Sequence, residues 1–439
     1  LDCSRRLGAL GMWKPLSFLV LLACSPASQP EEVPIPTGPN IVLIVADDLG
    51  VGDLGFLGGE METPTLDRLA NEGLVFSRFY SWALCSPSRA AILTGQDPMP
   101  MGLAWTPLRP EDDRGLPVNL ATLGKWFTEA GYATACIGKW HLGHADPAMH
   151  PSNRGFSYFY GCLQGAVDYE THLARNQNLD WQRNGEKIRV EGYATRLFGS
   201  EAATWVREQG QASKPFFLYL PFTAPHLPLQ APTKTIRKYM HIQDPARRVF
   251  CAMVDELDRA VSQVLRSLEE TGQADNTLIV FLSDNGAGKE DGGSNGVLRG
   301  AKGSAFEGGI RVPAFCWWPS KITPGQSETP AWALDIAPTF LSTAGVSKDT
   351  LQGENLLKLS SQARQFRFAS RNNQWTNTAV IEGDLKYVRR ERNDGALTRE
   401  LLFNLSDDPS EKVNLAPDDP SRVLPFRQAA LDYLQASGD

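Results

Sequence analysis

Apolar runs alternate with amphipathic stretches along most of the chain. Four of these runs end in charged or metal-competent side chains: NIVLIVADD (40–48), YATACIGKWH (132–141), FFLYLPFTAPH (216–226) and TLIVFLSDNG (277–286). Short continuous apolar runs bounded by polar residues predict buried strands. The stretches 119–130 and 247–271 have the periodicity of amphipathic helices. The alternation predicts an α/β domain with a large, mostly parallel central sheet over residues 40–350.

The last part of the chain has a different pattern. Residues 378–390, interrupted by EGD at 382–384, predict a hairpin, and ELLFNL at 400–405 predicts another strand. Residues 421–435 predict a closing helix. We therefore expect a small C-terminal α+β subdomain with an antiparallel sheet over residues 351–439.

The N-terminal residues have the pattern of an export leader. Basic residues precede the short apolar run 16–23, and Cys24 follows it. This pattern predicts a signal peptide of the lipoprotein type over 1–24, with Cys24 lipidated, and a proline-rich linker over 25–39. Cleavage at another site nearby, which would give a secreted protein, is the alternative. Either way the protein is expected to be exported: periplasmic, anchored to the outer membrane by lipid alone, or secreted.

Composition and charge exclude some classes of function. The chain has 439 residues, enough for a large core, and 42% of them are hydrophobic. The formal net charge of −7 argues against a nucleic-acid partner, because proteins that bind the phosphate backbone carry an excess of lysine and arginine. Outside the leader, five scattered cysteines show neither a zinc-ligand spacing nor a dense disulfide framework, and their odd number leaves at least one unpaired.

The four polar strand ends form one candidate site. Ligands of open α/β sheets bind beyond the carboxyl ends of the strands. One polar strand end can simply be a helix cap or a solvated loop, but four ends of this chemical type favour a shared site. The residues concerned are Asp47, Asp48, Lys139, His141, His226, Asp284 and Asn285. The four oxygen-bearing residues among them suit Ca²⁺ or Mg²⁺ better than zinc.

Several residues are candidates for acid–base and anion-binding roles. Lys139 and His141 are two apart on an extended segment, so both can face one site, with the lysine stabilising an anion and the histidine acting as a base. His226 is a second candidate catalytic histidine. Lys302 lies in the glycine-rich segment 294–311, whose backbone can approach a ligand closely. Taken singly, each could instead be a surface lysine or a loop histidine.

A cysteine in the stretch ALCSPSRAAILTG (83–95) has unusual neighbours. Ser86-Pro87 suits a helix start, so Cys85 is expected just ahead of the helix, facing its positive end, with Arg89 one turn further on. This placement predicts an acidic, reactive thiol. The C-x3-R spacing is not the C-x5-R of cysteine phosphatases, however, and a thiolate suits a hard-metal oxygen site poorly.

Two of these stretches resemble long family signatures. ALCSPSRAAILTG and GYATACIGKWHLG (131–143) resemble the two signatures of the type I sulfatases, in the same order. NIVLIVADDLG, SDNG at 283–286 and LRGAKGSAFEGGIRVP at 298–313 are similar to further blocks of that family, so that the resemblance covers about residues 40–416. GAVDYETH (165–172) and PLQAP (228–232) are most similar to arylsulfatase B and its bacterial relatives. The resemblance implies an alkaline-phosphatase-like α/β sandwich.

The resemblance also implies a mechanism. In the family, a formylglycine-generating maturation enzyme oxidises the signature cysteine, here Cys85, to Cα-formylglycine. Ca²⁺ is then held by Asp47, Asp48, Asp284, Asn285 and the modified residue 85. One hydroxyl of the aldehyde hydrate attacks the sulfur of a sulfate ester and the alcohol leaves. The second hydroxyl, deprotonated with help from His141, expels sulfate.

The remaining roles follow from the same resemblance. Arg89 would orient the hydrate, Lys139 and Lys302 would hold the sulfate oxygens, and His226 with Lys302 would assist the leaving oxygen. Asp168 and His172 would touch the sugar. The implied substrate is a sulfated carbohydrate or an aryl sulfate. Two alternatives stay open: a phosphonate or phosphate ester hydrolase of the alkaline phosphatase superfamily, and a non-enzymatic, metal-dependent binder of sulfated glycans.

Overall fold

The computed structural model describes residues 38–212 and 214–436. The predicted leader, the predicted lipidation site Cys24 and nearly all of the predicted linker lie outside these residues. The described part belongs to one compact unit, and the proposed boundary near residue 350 stays a prediction. Among the helices described, none combines the length and the apolar character needed to cross a bilayer.

Strands of three sheets run through the described chain. They are β1 (Asn40–Ala46), β2 (Leu74–Phe76), β3 (Phe79–Tyr80), β4 (Ala133–Lys139), β5 (Tyr158–Cys162), β6 (Gln182–Arg183), β7 (Glu186–Lys187), β8 (Phe216–Pro221), β9 (Thr277–Ser283), β10 (Arg311–Val312), β11 (Ala314–Trp317), β12 (Gly325–Ser327), β13 (Ala331–Trp332), β14 (Gln365–Arg371), β15 (Trp375–Glu382), β16 (Leu385–Arg392) and β17 (Leu397–Asn404).

Helices connect and cover these strands. They are α1 (Pro64–Asn71), α2 (Cys85–Thr94), α3 (Leu123–Glu129), α4 (Ala194–Gln211), α5 (Thr233–Ile236), α6 (Pro245–Glu270), α7 (Glu307–Ile310), α8 (Ile336–Thr343) and α9 (Pro420–Gln435). The helix predicted over 119–130 starts later, because the Thr122 side chain accepts a hydrogen bond from the backbone N of Lys125 and caps the helix there. The helix predicted over 247–271 starts earlier, because Asp244 caps it.

The largest sheet has ten strands in the order β12-β2-β11-β9-β1-β8-β4-β5-β6-β7. Its centre, from β9 to β5, is parallel throughout, whereas β11, β6 and β7 pair antiparallel with their neighbours. In the centre, Val45 lies opposite Pro221 of β8, and Ala46 lies opposite Ser283 of β9. The predicted strands therefore end at one edge of one sheet, as expected.

Alternate residues of each central strand face two separate apolar layers. On β1, Ile41, Leu43 and Val45 belong to the layer that includes α2, α3 and α8. Val42 and Ile44 belong to the opposite layer, which includes α1, α4 and α6. Both faces of the strand are buried, which explains why its sequence is apolar at every position after Asn40 instead of alternating. The helices on both faces confirm the predicted α/β sandwich.

The C-terminal region forms a separate four-stranded antiparallel sheet in the order β14-β15-β16-β17. Its central hairpin turns at Gly383-Asp384, where the EGD interruption predicted a turn. The closing helix α9 packs on this sheet through Val423, Phe426 and Ala430. The expected small antiparallel sheet with a closing helix is therefore present.

Candidate active site

The ends of β1 and β9 converge through backbone hydrogen bonds. The N–H of Asp284 donates to the carbonyl of Ala46, and the N–H of Asp47 donates to the carbonyl of Ala224, each at 3.0 Å. Asp48 has a φ of 68°, in the left-handed region that non-glycine residues rarely adopt. Such strain is characteristic of functional sites, because the surrounding structure must hold it in place.

Four buried oxygen-bearing side chains meet at this point. Nδ2 of Asn285 donates to Oδ1 of Asp48 at 2.7 Å, and the backbone N of Asp48 donates to Oδ1 of Asp284 at 3.3 Å. Oδ1 of Asp47 and Oδ1 of Asn285 are buried without a hydrogen-bond partner among the described residues. Buried acceptors left without a donor are costly, and a hard cation satisfies them. The residues present therefore fit a calcium site.

Cationic side chains surround the carboxylates. Nζ of Lys139 lies 2.5 Å from Oδ2 of Asp47, and Nζ of Lys302 lies 2.7 Å from the carboxylate of Asp48. Burial opposes ionisation of Asp48, but the charge of Lys302 and the hydrogen bonds from Lys302 and Asn285 outweigh it and lower the pKa of that carboxyl. The site thus holds fixed positive charge of the kind that binds an anionic group.

His141 and His226 have defined tautomers. Nε2 of His141 lies 2.8 Å from the carbonyl of Leu108, and Nδ1 of His226 lies 2.7 Å from the carbonyl of Leu227. A carbonyl only accepts, so these nitrogens carry the hydrogens. The lone pairs are then on Nδ1 of His141, which has no partner among the described residues, and on Nε2 of His226, 3.7 Å from Asp48.

Both imidazoles are neutral at physiological pH. Burial, followed by the charge of Lys139, lowers the pKa of His141 well below its usual value. Burial, followed by the charge of Lys302, lowers the pKa of His226 to about 3. Neutral imidazoles with free lone pairs can accept protons.

His226 also lies close to two of the predicted metal ligands. Asp47, Asp48 and His226 form a buried group whose possible metal-ligand atoms lie within 4.8 Å of one another.

Cys85 is the first residue of α2 and is 2% exposed. The sequence predicts a position just ahead of the helix and an acidic thiol, and the structure differs on both points. Burial raises the pKa of the Cys85 thiol, and the opposing charges of Lys139 and Lys302 do not compensate. An unmodified Cys85 is therefore a poor nucleophile. The five cysteines in the described part of the chain are all unpaired, in line with the predicted lack of a disulfide framework.

A cleft of about 690 Å³, here called the active-site cleft, opens over these residues. Four of the six predicted catalytic residues line it: Cys85, His141, His226 and Lys302. Lys139 and Arg89 lie fully buried behind it, and Arg89 donates to both Asp284 and the carbonyl of Lys139. The structure therefore brings together all the predicted catalytic and metal-binding residues.

The cleft also has lining residues that the sequence did not single out. Arg109, Glu111, Arg175 and Asn176 lie at its walls. They belong to loops between regular elements, where no periodicity or strand end marks them. The only sequence signal is the run of charges in RPEDDR (109–114), and it marks Arg109 and Glu111 alone.

The two residues expected to touch the sugar are not in the lining of the active-site cleft. The imidazole of His172 is 1% exposed, stacks on Trp181 with ring centroids 4.2 Å apart, and lies 3.0 Å from the carbonyl of Gly192. Asp168 accepts hydrogen bonds from the backbone of residues 170 and 171 and from the Gln230 side chain. These contacts give both residues structural roles in the 168–172 turn.

Comparison with known proteins identifies the family. A family model described as Sulfatase matches residues 39–346, and the chain belongs to the Sulfatase family. Arylsulfatase J of Mus musculus is 37% identical over 319 residues, which make up 70% of this chain and 52% of that protein. N-acetylgalactosamine-6-sulfatase of Sus scrofa is 36% identical over 458 residues, covering 91% of this chain and 84% of that protein. The chain thus spans about half the length of the arylsulfatase J that it matches. The closer likeness to arylsulfatase B stays a prediction.

Solved structures confirm the fold class. Ps i-CgsB in complex with k-i-k-neocarrahexaose is 31% identical and superposes with a TM-score of 0.85, over 92% of this chain and 94% of that chain. The phosphonate monoester hydrolase of Agrobacterium radiobacter, at 20% identity, shares the fold with a TM-score of 0.64 over 90% and 95% of the two chains. The chain therefore has the alkaline-phosphatase-like fold of the sulfatases.

Proposed function

We propose that this protein hydrolyses sulfate esters of carbohydrates, with residue 85 matured to Cα-formylglycine and Ca²⁺ bound beside it. The observation that carries the proposal is the position of Cys85, whose side chain lines a cleft together with Lys302 and two neutral histidines. A buried thiol with a raised pKa has little use there as a thiol. Its place at the head of α2, inside the family signature, supports conversion into an oxygen nucleophile.

Lys139 and Lys302 would stabilise the anionic group, and Arg89 would hold the residues around the nucleophile in place. Lys302 lines the cleft and would contact the sulfate oxygens, whereas Lys139, fully buried beside Asp47, would act on them through its charge. Fixed positive charges that need not reorganise stabilise the charge shifting onto these oxygens. Arg89 donates from Nε and Nη2 to Asp284, a bond that keeps the carboxylate and the head of α2 together.

The histidines would move protons at opposite ends of the reaction. His141 can accept a proton at Nδ1, since its Nε2–H is engaged by the Leu108 carbonyl. This arrangement suits a base that assists sulfate release. Nε2 of His226 carries no hydrogen in this tautomer, so it would have to take up a proton before it could protonate the leaving alcohol oxygen; Lys302, on the same wall, has N–H hydrogens to donate to that oxygen.

Two groups complete the site when present. Calcium, held by Asp47, Asp48, Asp284, Asn285 and residue 85, supplies positive charge that offsets the sulfate oxygens. The formylglycine hydrate supplies an oxygen nucleophile in place of the thiol. The unpartnered oxygens of Asp47 and Asn285 support the metal assignment.

The substrate class rests on relatives and on the shape of the cleft. One relative is named for N-acetylgalactosamine 6-sulfate, and one solved neighbour holds a neocarrahexaose. An active-site cleft of about 690 Å³ that is open to solvent admits a sugar unit with its neighbours. We therefore favour a sulfated carbohydrate over a small aryl sulfate as the natural substrate.

The leader-like pattern of residues 1–24 leads us to propose that the protein is exported, either with a lipid anchor or as a secreted protein.

A mass spectrum of the tryptic peptide FYSWALCSPSR (79–89) tests the proposal most directly. Protein made together with a maturation enzyme should show the mass of the aldehyde or its hydrate. A free thiol under those conditions would favour a non-enzymatic glycan binder. Rates on paired 4-nitrophenyl sulfate and phosphate then separate the sulfatase from a phosphate ester hydrolase, which would prefer the second compound.

A further inference from the structure

A second cleft, of about 820 Å³, adjoins the active-site cleft. We call it the cationic cleft; its lining includes Arg109, Lys302, Arg371, Asn372, Trp375 and Arg390. Arg109 and Lys302 line both clefts, so the two are continuous at the wall that faces the candidate sulfate site. A chain of sugars held in the first cleft can therefore extend into the second.

The charged side chains that line the cationic cleft are all basic. Four basic side chains line it, and no acidic side chain of the described chain does. Neighbouring arginines on β16 are neutralised, Arg389 by Glu391 and Arg392 by Asp394. Arg371 and Arg390, by contrast, form no salt bridge with any residue that the structure describes, and Nε of Arg390 is buried without a hydrogen-bond partner there. Unpaired positive charge concentrated in one cleft of an acidic protein favours an anionic ligand.

The C-terminal sheet is fixed against the catalytic region at this cleft. The hydroxyl of Ser370 donates to the carbonyl of Gly303, next to Lys302, at 2.9 Å. The backbone N of Arg371 donates to the carbonyl of Trp105 at 2.8 Å. Because these bonds join β14 to the segments that form the active-site wall, the position of Arg371 relative to Lys302 is built into the fold.

Aromatic rings pre-orient both arginines. The guanidinium of Arg371 lies over the Trp105 ring at 4.1 Å, and that of Arg390 lies over the Trp375 ring at 4.3 Å. Stacking of this kind limits the rotamers of the arginine. Nε of Arg371 donates to Oγ1 of Thr376 at 3.1 Å, and the Nη groups of both arginines stay available to bind oxygens. Exposed amide side chains of the 372–374 turn lie beside them and suit sugar hydroxyls.

We propose that the cationic cleft is a subsite for a second anionic group of the substrate, so that the protein acts on a glycan with anionic groups on neighbouring sugars and not on an isolated sulfated sugar. In this subsite Arg371 and Arg390 bind the neighbouring sulfate or carboxylate, while Lys139 and Lys302 hold the sulfate that is removed. The inference rests on the proposed sulfatase function, whose substrate class it narrows.

Binding to the Cys85→Ala protein, which cannot turn substrate over, tests the subsite. The probes are a hexasaccharide with one sulfate on every second sugar and the same hexasaccharide with a single sulfate, titrated by calorimetry. Loss of one charge-assisted hydrogen bond costs about 1.5–3 kcal/mol, or at least about tenfold in Kd. Adding Arg390→Gln or Arg371→Gln should raise the Kd of the multiply sulfated probe about tenfold and that of the singly sulfated probe less than about twofold.

Two controls keep the result specific. Arg422→Gln removes an exposed arginine of α9 that lines neither cleft, and it should change neither Kd. Arg390→Lys keeps the charge and should recover part of the loss. Equal losses for both probes, or none for either, would overturn the subsite. Failure of the mature wild-type enzyme to release sulfate from any probe would instead overturn the proposed function, and the Kd comparison would still decide the subsite.

Discussion

Gly165 packs directly against the imidazole of His141. A Cβ added at Gly165 would lie 2.4 Å from Nε2 of His141 and 2.5 Å from its Cε1. The same Nε2 holds the hydrogen bond to Leu108 that leaves Nδ1 free as a base. Only a glycine at position 165 allows this contact, so a backbone position more than twenty residues away in sequence determines where the catalytic imidazole lies.

Gly165→Ala should therefore impair catalysis without unfolding the protein. The methyl group displaces the His141 ring and breaks its bond to Leu108, and a misplacement of about 1 Å can cost about 100-fold in rate. We expect kcat for 4-nitrophenyl sulfate to fall by that order while KM changes little. Gly325→Ala is the matched control, because an added Cβ there meets no atom within 4 Å. Equal activity of the two variants would contradict the role given to Gly165.

Replacement of Cys85 should abolish turnover with little effect on stability. Both Cys85→Ala and Cys85→Ser remove the precursor of the nucleophile, and loss of a nucleophile costs at least about a thousand-fold in kcat. Serine has nearly the same volume, so the melting temperature of that variant should stay close to that of the wild type. Activity assays and thermal melts of mature protein check this. A serine variant with wild-type turnover in a host without the maturation enzyme would refute the formylglycine assignment.

Removal of calcium should lower both activity and stability. A ligand that binds only the folded state stabilises it by about 2.7 kcal/mol at a hundred times its Kd. We expect a chelator to stop turnover and lower the melting temperature, and added Ca²⁺ to restore both. Asn285→Ala, which removes the unpartnered Oδ1, should reduce the calcium-dependent shift of the melt even in protein with unmodified Cys85. A melting temperature that neither the chelator nor added calcium changes would exclude the metal site.

Lys386 should be a major determinant of stability. It is fully buried on β16, and its Nζ lies 2.9 Å from both Glu307 and Glu411. Lys386→Met leaves two buried carboxylates without their cation, and breaking a buried pair in this way costs about 3–5 kcal/mol. Denaturant unfolding measures the loss.

Arg392→Met serves as the comparison for Lys386→Met. Arg392 lies on the same strand and pairs with Asp394, but both side chains are more than half exposed. Exposed pairs of this kind contribute about 0–1 kcal/mol. Similar losses in the two variants would show that the buried network does not hold the C-terminal sheet to the segment around Glu307.

Much of the site could be predicted from local pattern. The largely apolar runs of β1, β4, β8 and β9 identify the strands because nearly every position is buried, and the residues after them share an edge because parallel strands end together. The signature around Cys85 indicates the Sulfatase family, and the match to the family model confirms that membership. The surroundings of Asp168 and His172 do not follow from local pattern, since a polar residue whose hydrogen bonds are satisfied within a turn looks the same in sequence as one that faces a ligand.

The chain's residue order determines its strands, its helices and the identity of the chemical groups at the strand ends, because these depend on neighbours a few positions away. Tertiary structure alone decides the environment of each group. It buries Cys85 and so raises the pKa of a thiol that its helix position alone would lower. It also places Arg371 and Arg390, from a separate sheet, beside Lys302. Burial and Coulomb energy depend on groups that are distant in the chain, so the local sequence pattern does not predict them.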